Sequence, residues 1–269
     1  MIRLPNKSLP QTAQRQLRRW QREIDGIPGY VEQVAAAKKQ FSARNKVGNQ
    51  TFGSVKATLT TMCSGAQRCG YCEDSAADEV EHIKPKDLYP EVVFVWENYL
   101  YSCGPCNGPK NNQFAVFSHE TGNKTDVTRK RGTPVVPPEV GDPVLFNPRQ
   151  EDALQYMELD LLGTFLFLPL YGLAPKEYQR AQYTIEVLRL NERELLLRAR
   201  KEAYGSYKAR LSEYITERDK GATQARLNKL IKAVQTMQHP TVWKEMQRQQ
   251  ALIPELKKLF AKAPEALIW

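Results

Sequence analysis

Apolar residues recur at helical spacing towards both ends of this chain and lose that period in its middle. Between Gln11 and Ile24, residues Leu17, Trp20 and Ile24 fall on one stripe. Arg15, Arg18, Arg19 and Arg22 take up much of the remaining surface, which predicts an amphipathic helix. Gly26, Pro28 and Gly29 break it. A second helix is expected from Tyr30 to Arg44, with Val31, Val34 and Ala35 on its apolar side and Lys38 and Lys39 beyond. Asn45 to Gly53 reads as a polar connection, after which Ser54 is placed to cap a third helix ending near Met62. In the C-terminal third, Asn191-x-x-Glu194 resembles a capping box. Leu196, Ala199, Ala203, Tyr207, Leu211 and Tyr214 then form one stripe. Gly221 separates that helix from another bearing Leu227, Leu230, Ile231 and Val234, Pro240 ends the latter, and a last pair is split at Pro254.

The middle reads differently. Short strands are expected near Val80–Ile83 and Tyr99–Ser102, then a short helix after Cys106 with Pro109 in its first turn, where a missing N–H costs nothing. Thr121 to Pro143 is rich in Gly, Pro, Thr and charge and reads as an exposed excursion. Tyr156 to Leu168 alternates around Leu162-Gly163, which suggests a hairpin. The fold class is α+β, mainly helical.

Charge sharpens the division. The net charge is +9, yet residues 1–60 carry 11 Lys/Arg against 3 Asp/Glu, residues 61–170 carry 9 against 16, and residues 171–269 carry 19 against 11. An acidic middle is thus flanked by basic ends, and a polyanionic substrate would need the field of those ends or of a partner. The start of the chain lacks the apolar core of a signal peptide. The longest apolar run, Leu161 to Ala174, is too short to span a bilayer and is interrupted by Gly163 and Pro169. A cytoplasmic protein with no membrane partner is expected. In that reducing compartment, paired cysteines read as metal ligands. Cys63 is left over and reads as a buried helix residue.

Cys69/Cys72 and Cys103/Cys106 form two Cys-x-x-Cys pairs, a ligand set for structural Zn²⁺ with no position left for water or substrate. Between and just after them lie Glu81-His82, Asn98 and Asn107, a carboxylate, an imidazole and two carboxamides suited to phosphodiester hydrolysis. The order Cys-x-x-Cys, acidic-His-Ile-x-Pro, Asn-x-Leu, Cys-x-x-Cys-Asn-x-x-Lys resembles a zinc-stapled HNH endonuclease of the ββα-metal fold in a His-Asn-Asn version. The longer string Glu81-His82-Ile83-Lys84-Pro85-Lys86, Tyr89-Pro90-Glu91, Trp96-Glu97-Asn98-Tyr99-Leu100 and Cys106-Asn107-Gly108 is similar to the HNH subunit of Septu-type antiphage defence systems, a group also found in some retron loci. Fainter similarity runs through Leu145-Phe146-Asn147-Pro148 and Thr184 to Asn191.

The resemblance implies a role for each residue. His82 is the general base, Glu81 and Asn107 hold Mg²⁺ or Mn²⁺, and Asn98 bonds backbone across the loop and orients the His-bearing strand. Many HNH enzymes have His where this chain has Asn107; a carboxamide favours the harder Mg²⁺ or Mn²⁺. Lys110 is within reach of a phosphate oxygen, and Lys84, Lys86, Arg15, Arg18, Arg19 and Arg22 are candidate nucleic-acid contacts. His119 and His239 lack such company. Four regions are expected: 1–62, a basic helical region; 63–120, a zinc-bound HNH core; 121–170, loop and hairpin; 171–269, a basic helical region. The implied activity is an endonuclease acting on DNA in a defence complex. The alternatives are a tRNA-directed ribonuclease of a retron-type system and a catalytically silent zinc scaffold. No Walker motif is visible, so any use of ATP falls to another chain, and the resemblance implies an ABC/SMC-like ATPase partner.

Overall fold

The computed structural model describes residues 1–269 and resolves into two compact units. One is built of Arg3–Cys63 and Ala77–Glu151. Its first helix, α1 (Gln11–Asp25), buries Ala13, Leu17, Trp20, Gln21 and Ile24, the stripe expected from the apolar spacing with a glutamine added. Helix α2 (Tyr30–Arg44) buries Val34, Ala37 and Phe41. Helix α3 (Gln50–Thr60) starts earlier than Ser54: the side chain of Asn49 accepts from the Phe52 amide at 3.0 Å and is the true cap, while Ser54 bonds back to the Gln50 carbonyl. The three helices meet in an aromatic core, where Phe52 stacks on Trp20 at 6.0 Å and meets Phe41 edge-on at 5.4 Å.

Strands β1 (Glu79–His82) and β2 (Tyr99–Ser102) pair antiparallel with Glu81 opposite Leu100 and His82 opposite Tyr99. They form a two-stranded sheet, so one edge of β1 pairs with no strand. Helix α4 (Gly104–Lys110) begins directly after Cys103, with Pro105 in its first turn. Pro109 therefore sits in the last turn, not the first, and the helix stops one residue later before Asn111, whose φ is +38°. Strand β3 (Ala115–Ser118) is the centre of a three-stranded antiparallel sheet between β4 (Lys124–Asp126) and β5 (Gly141–Pro143). Part of the stretch that reads as an excursion is thus sheet. Its strands are three residues long and partly exposed, so they show no alternation, and the apolar β3 recruits them. Gly141 is required there: a Cβ would come within 2.3 Å of the Phe117 carbonyl oxygen.

The second unit is dominated by Asp152–Trp269. Strands β6 (Met157–Leu159) and β7 (Phe167–Pro169) form the expected hairpin. Helices α5 (Pro175–Val187), α6 (Glu194–Asp219), α7 (Gln224–Gln235), α8 (Pro240–Gln249) and α9 (Pro254–Lys262) follow. Two local readings change. Asn191 caps no helix, because its carboxamide bonds both the amide and the carbonyl of Phe167 and ties the α5–α6 connection to β7. Pro240 opens α8 and does not close α7, which ends at Gln235. Tyr207, Trp243 and Phe260 pack as a ring cluster on the stripe of α6. No helix is long and apolar enough to cross a membrane.

Phe52 is fully buried at the junction of α1, α2 and β2. Phe52→Ala is expected to lower unfolding free energy by about 3–5 kcal/mol, measured by chemical denaturation.

Candidate active site and metal centre

Alternation along β1 sends Glu79 and Glu81 to one face and Val80 and His82 to the other. Helix α4 lies against the first face and presents Asn107 and Lys110, one turn apart, as two rungs. The Asn107 Nδ2 donates to Glu79 Oε2 at 2.5 Å. The Lys110 ammonium pairs with Glu81 Oε1 and donates to the His82 carbonyl at 2.9 Å. Lys110 is fully buried. Its ammonium is committed to Glu81 and the backbone, so the structure gives it a place inside the fold and not the outward reach towards phosphate expected from the sequence. Burial pushes the Glu81 carboxyl above its ordinary range, opposed by the positive charges of Lys110 and Lys86.

His82 is 3% exposed, with the Phe41 ring 4.3 Å away and the Tyr99 ring 5.2 Å away, both edge-on. Its Nε2 lies 2.9 Å from the Val93 carbonyl oxygen. A carbonyl can only accept, so Nε2 carries the proton and Nδ1 keeps its lone pair. Desolvation, then the charges of Lys86 and Lys110, lower the imidazole pKa to about 3, so the ring is neutral at physiological pH.

The segment presenting Val93 is held from two sides. Asn98 donates to the carbonyls of Lys84 and Val92 at 3.0 and 3.1 Å and accepts from the Lys84 amide at 2.8 Å. These bonds cross the loop between β1 and β2. Gln21 of α1 donates to the Pro90 carbonyl and accepts from the Phe94 amide, bracketing Val93 from the helical side. Arg149 adds bonds to the carbonyls of Trp96 and Tyr99 and lies over the Trp96 ring at 4.4 Å.

Glu81, His82 and Asn107 line one cleft of about 520 Å³, together with Glu79, Lys86 and Asn45. Lys84 is not among its lining residues; its ammonium lies over the Tyr89 ring at 5.3 Å. Arg15, Arg18 and Arg22 line a separate groove of about 710 Å³ beside Phe94–Glu97, whereas Arg19 pairs with Glu23 at 3.5 Å. His119 pairs with exposed Asp142 and His239 with Asp74, and neither lines the cleft.

Cys69 and Cys72 are buried in the unit that contains Asp152–Trp269, and Cys103 and Cys106 are buried in the other. Four thiolates from two Cys-x-x-Cys pairs are a donor set that suits a structural Zn²⁺. In the cleft the donors are carboxylate and carboxamide oxygens, a set that suits a hard cation.

Glu79 and Gln21 were not foreseen. A signal existed for each: Glu79 stands two residues before Glu81 on the same strand face, and Gln21 interrupts the apolar stripe of α1.

The cleft thus brings a neutral, oriented imidazole together with carboxylate and carboxamide oxygens. No family model matches the chain. Over 68 residues it is 41% identical to the Septu protein PtuB of Bacillus thuringiensis. The match takes in 23% of this chain and 26% of that protein, about a quarter of the relative's length, and supports a Septu-like relationship.

Replacing Asn98 with Ala strands the Lys84 amide and carbonyl, while the Val92 carbonyl keeps its bond from the Val95 amide. A loss on the order of 2–3 kcal/mol in denaturant unfolding is expected, with faster hydrogen exchange at the Lys84 amide.

Proposed function

We propose that this chain is an HNH-type endonuclease that hydrolyses DNA phosphodiesters within a Septu-like antiphage defence system. The observation that carries this reading is that His82, with Nε2–H fixed on the Val93 carbonyl and Nδ1 left as the basic nitrogen, lines one cleft with Glu81 and Asn107.

Nδ1 takes a proton from water as the water attacks phosphorus, and the Val93 carbonyl steadies the positive charge that the ring acquires. Asn98 keeps that carbonyl in place through its neighbour Val92. Lys110 holds the Glu81 carboxylate beside the strand that bears His82. Glu81 and Asn107 would hold Mg²⁺ or Mn²⁺, which supplies Lewis-acid stabilisation of phosphate charge when bound. Lys86, at the cleft wall, offers a contact to the phosphate backbone, and Arg15, Arg18 and Arg22 offer a track for flanking nucleic acid. Zn²⁺ on the four cysteines serves the fold. The Septu-like match supports a partner subunit, which on this reading is an ABC/SMC-like ATPase.

The purified chain, alone and with such a partner, is to be incubated with plasmid and with total tRNA in Mg²⁺ or Mn²⁺. Plasmid cleavage is expected, and His82→Ala should lower its rate by about 10²–10⁴-fold with zinc content unchanged. Cleavage of tRNA alone would move the substrate to RNA; undiminished cutting by His82→Ala would sink the mechanism. One zinc per chain is expected by elemental analysis. Cys103→Ser should lose it and unfold at lower temperature.

A further inference from the structure

Asn107 poses a problem that its partner resolves. A carboxamide has an oxygen that attracts a cation and an NH₂ group that repels it, and rotation by half a turn exchanges the two. Left to solvent, Asn107 would offer the wrong end part of the time. It is not left to solvent: its Nδ2 lies 2.5 Å from Glu79 Oε2. An ionised carboxylate only accepts, so the end of Asn107 facing Glu79 is the NH₂ and Oδ1 is the end that remains available. The register of β1 makes this pairing possible. Glu79 shares its strand face with Glu81, and both line the cleft beside Asn107. The inner carboxylate is already engaged by Lys110, while the outer one engages the carboxamide.

We infer that Glu79 is a positioning residue for the cleft, holding the Asn107 carboxamide with Oδ1 presented to a divalent cation. The inference rests on the reading of Asn107 as a cation ligand. It assigns Glu79 to the ligand's hydrogen-bond shell, where loss of an orienting partner typically weakens metal affinity 10- to 100-fold.

Mn²⁺ binding to the zinc-loaded chain without nucleic acid, followed by electron paramagnetic resonance, tests it. Asn107→Ala should weaken Mn²⁺ binding, and Glu79→Ala should weaken it by about 10-fold, with melting temperature and zinc content unchanged. Glu79→Gln keeps an oxygen that accepts from Nδ2 and should restore most of the affinity. In the Asn107→Ala background, Glu79→Ala should cost nothing more. Additive losses, or a Gln variant as weak as Ala, would make Glu79 a direct ligand or a bare charge and overturn the positioning role. Unchanged affinity in Glu79→Ala with a loss in Asn107→Ala would overturn it too and spare the parent reading. No effect of Asn107→Ala would remove the parent reading itself.

Discussion

An imidazole in a cleft can place its single proton on either nitrogen, and the Val93 carbonyl removes that choice by accepting from Nε2 at 2.9 Å. Much of the first unit can be understood as holding that carbonyl still. Asn98 binds the residue before it, Gln21 binds the residues around it, and the Tyr99 hydroxyl donates to the same oxygen at 2.7 Å. The rings of Phe41 and Tyr99 then pack edge-on against the imidazole, and its burial keeps it neutral. Helices α1 and α2 are therefore part of the site's support.

The electrostatics of the cleft follow from how few charges are compensated. Glu81 is buried with Lys110 against it, a pairing that fixes both side chains and leaves little net field. Glu79 is exposed and bonded to a neutral carboxamide, so its negative charge is not cancelled by that partner. Residues 61–170 are acidic overall, and positive groups stand nearby: Lys86 at the cleft and the arginines of α1 along a separate groove.

Residues whose role depends on local spacing were legible from sequence. The stripes of α1 and α6, the β1 and β2 strands and the two Cys-x-x-Cys pairs all follow from periodicity or motif. Misread positions were those with two local options of nearly equal energy. Ser54 and Asn49 are both good caps, and the chain used the one at the polar turn. Asn191 could cap a helix or bridge to Phe167 and did the latter. Strands β4 and β5 are too short to signal themselves and exist because β3 offers them a partner.

By itself the sequence determined which chemical groups are present and roughly where along strand or helix they fall, because hydrophobic period and metal-ligand spacing are local properties. Which partner each polar group takes was decided only in three dimensions. Lys110 turned inward to Glu81, Asn107 turned to Glu79, and His82 received its carbonyl from Val93, eleven residues away. Such choices depend on the register of β1 against β2 and on the seating of α4. Both are fixed by packing between segments distant in sequence, and no period along the chain records them.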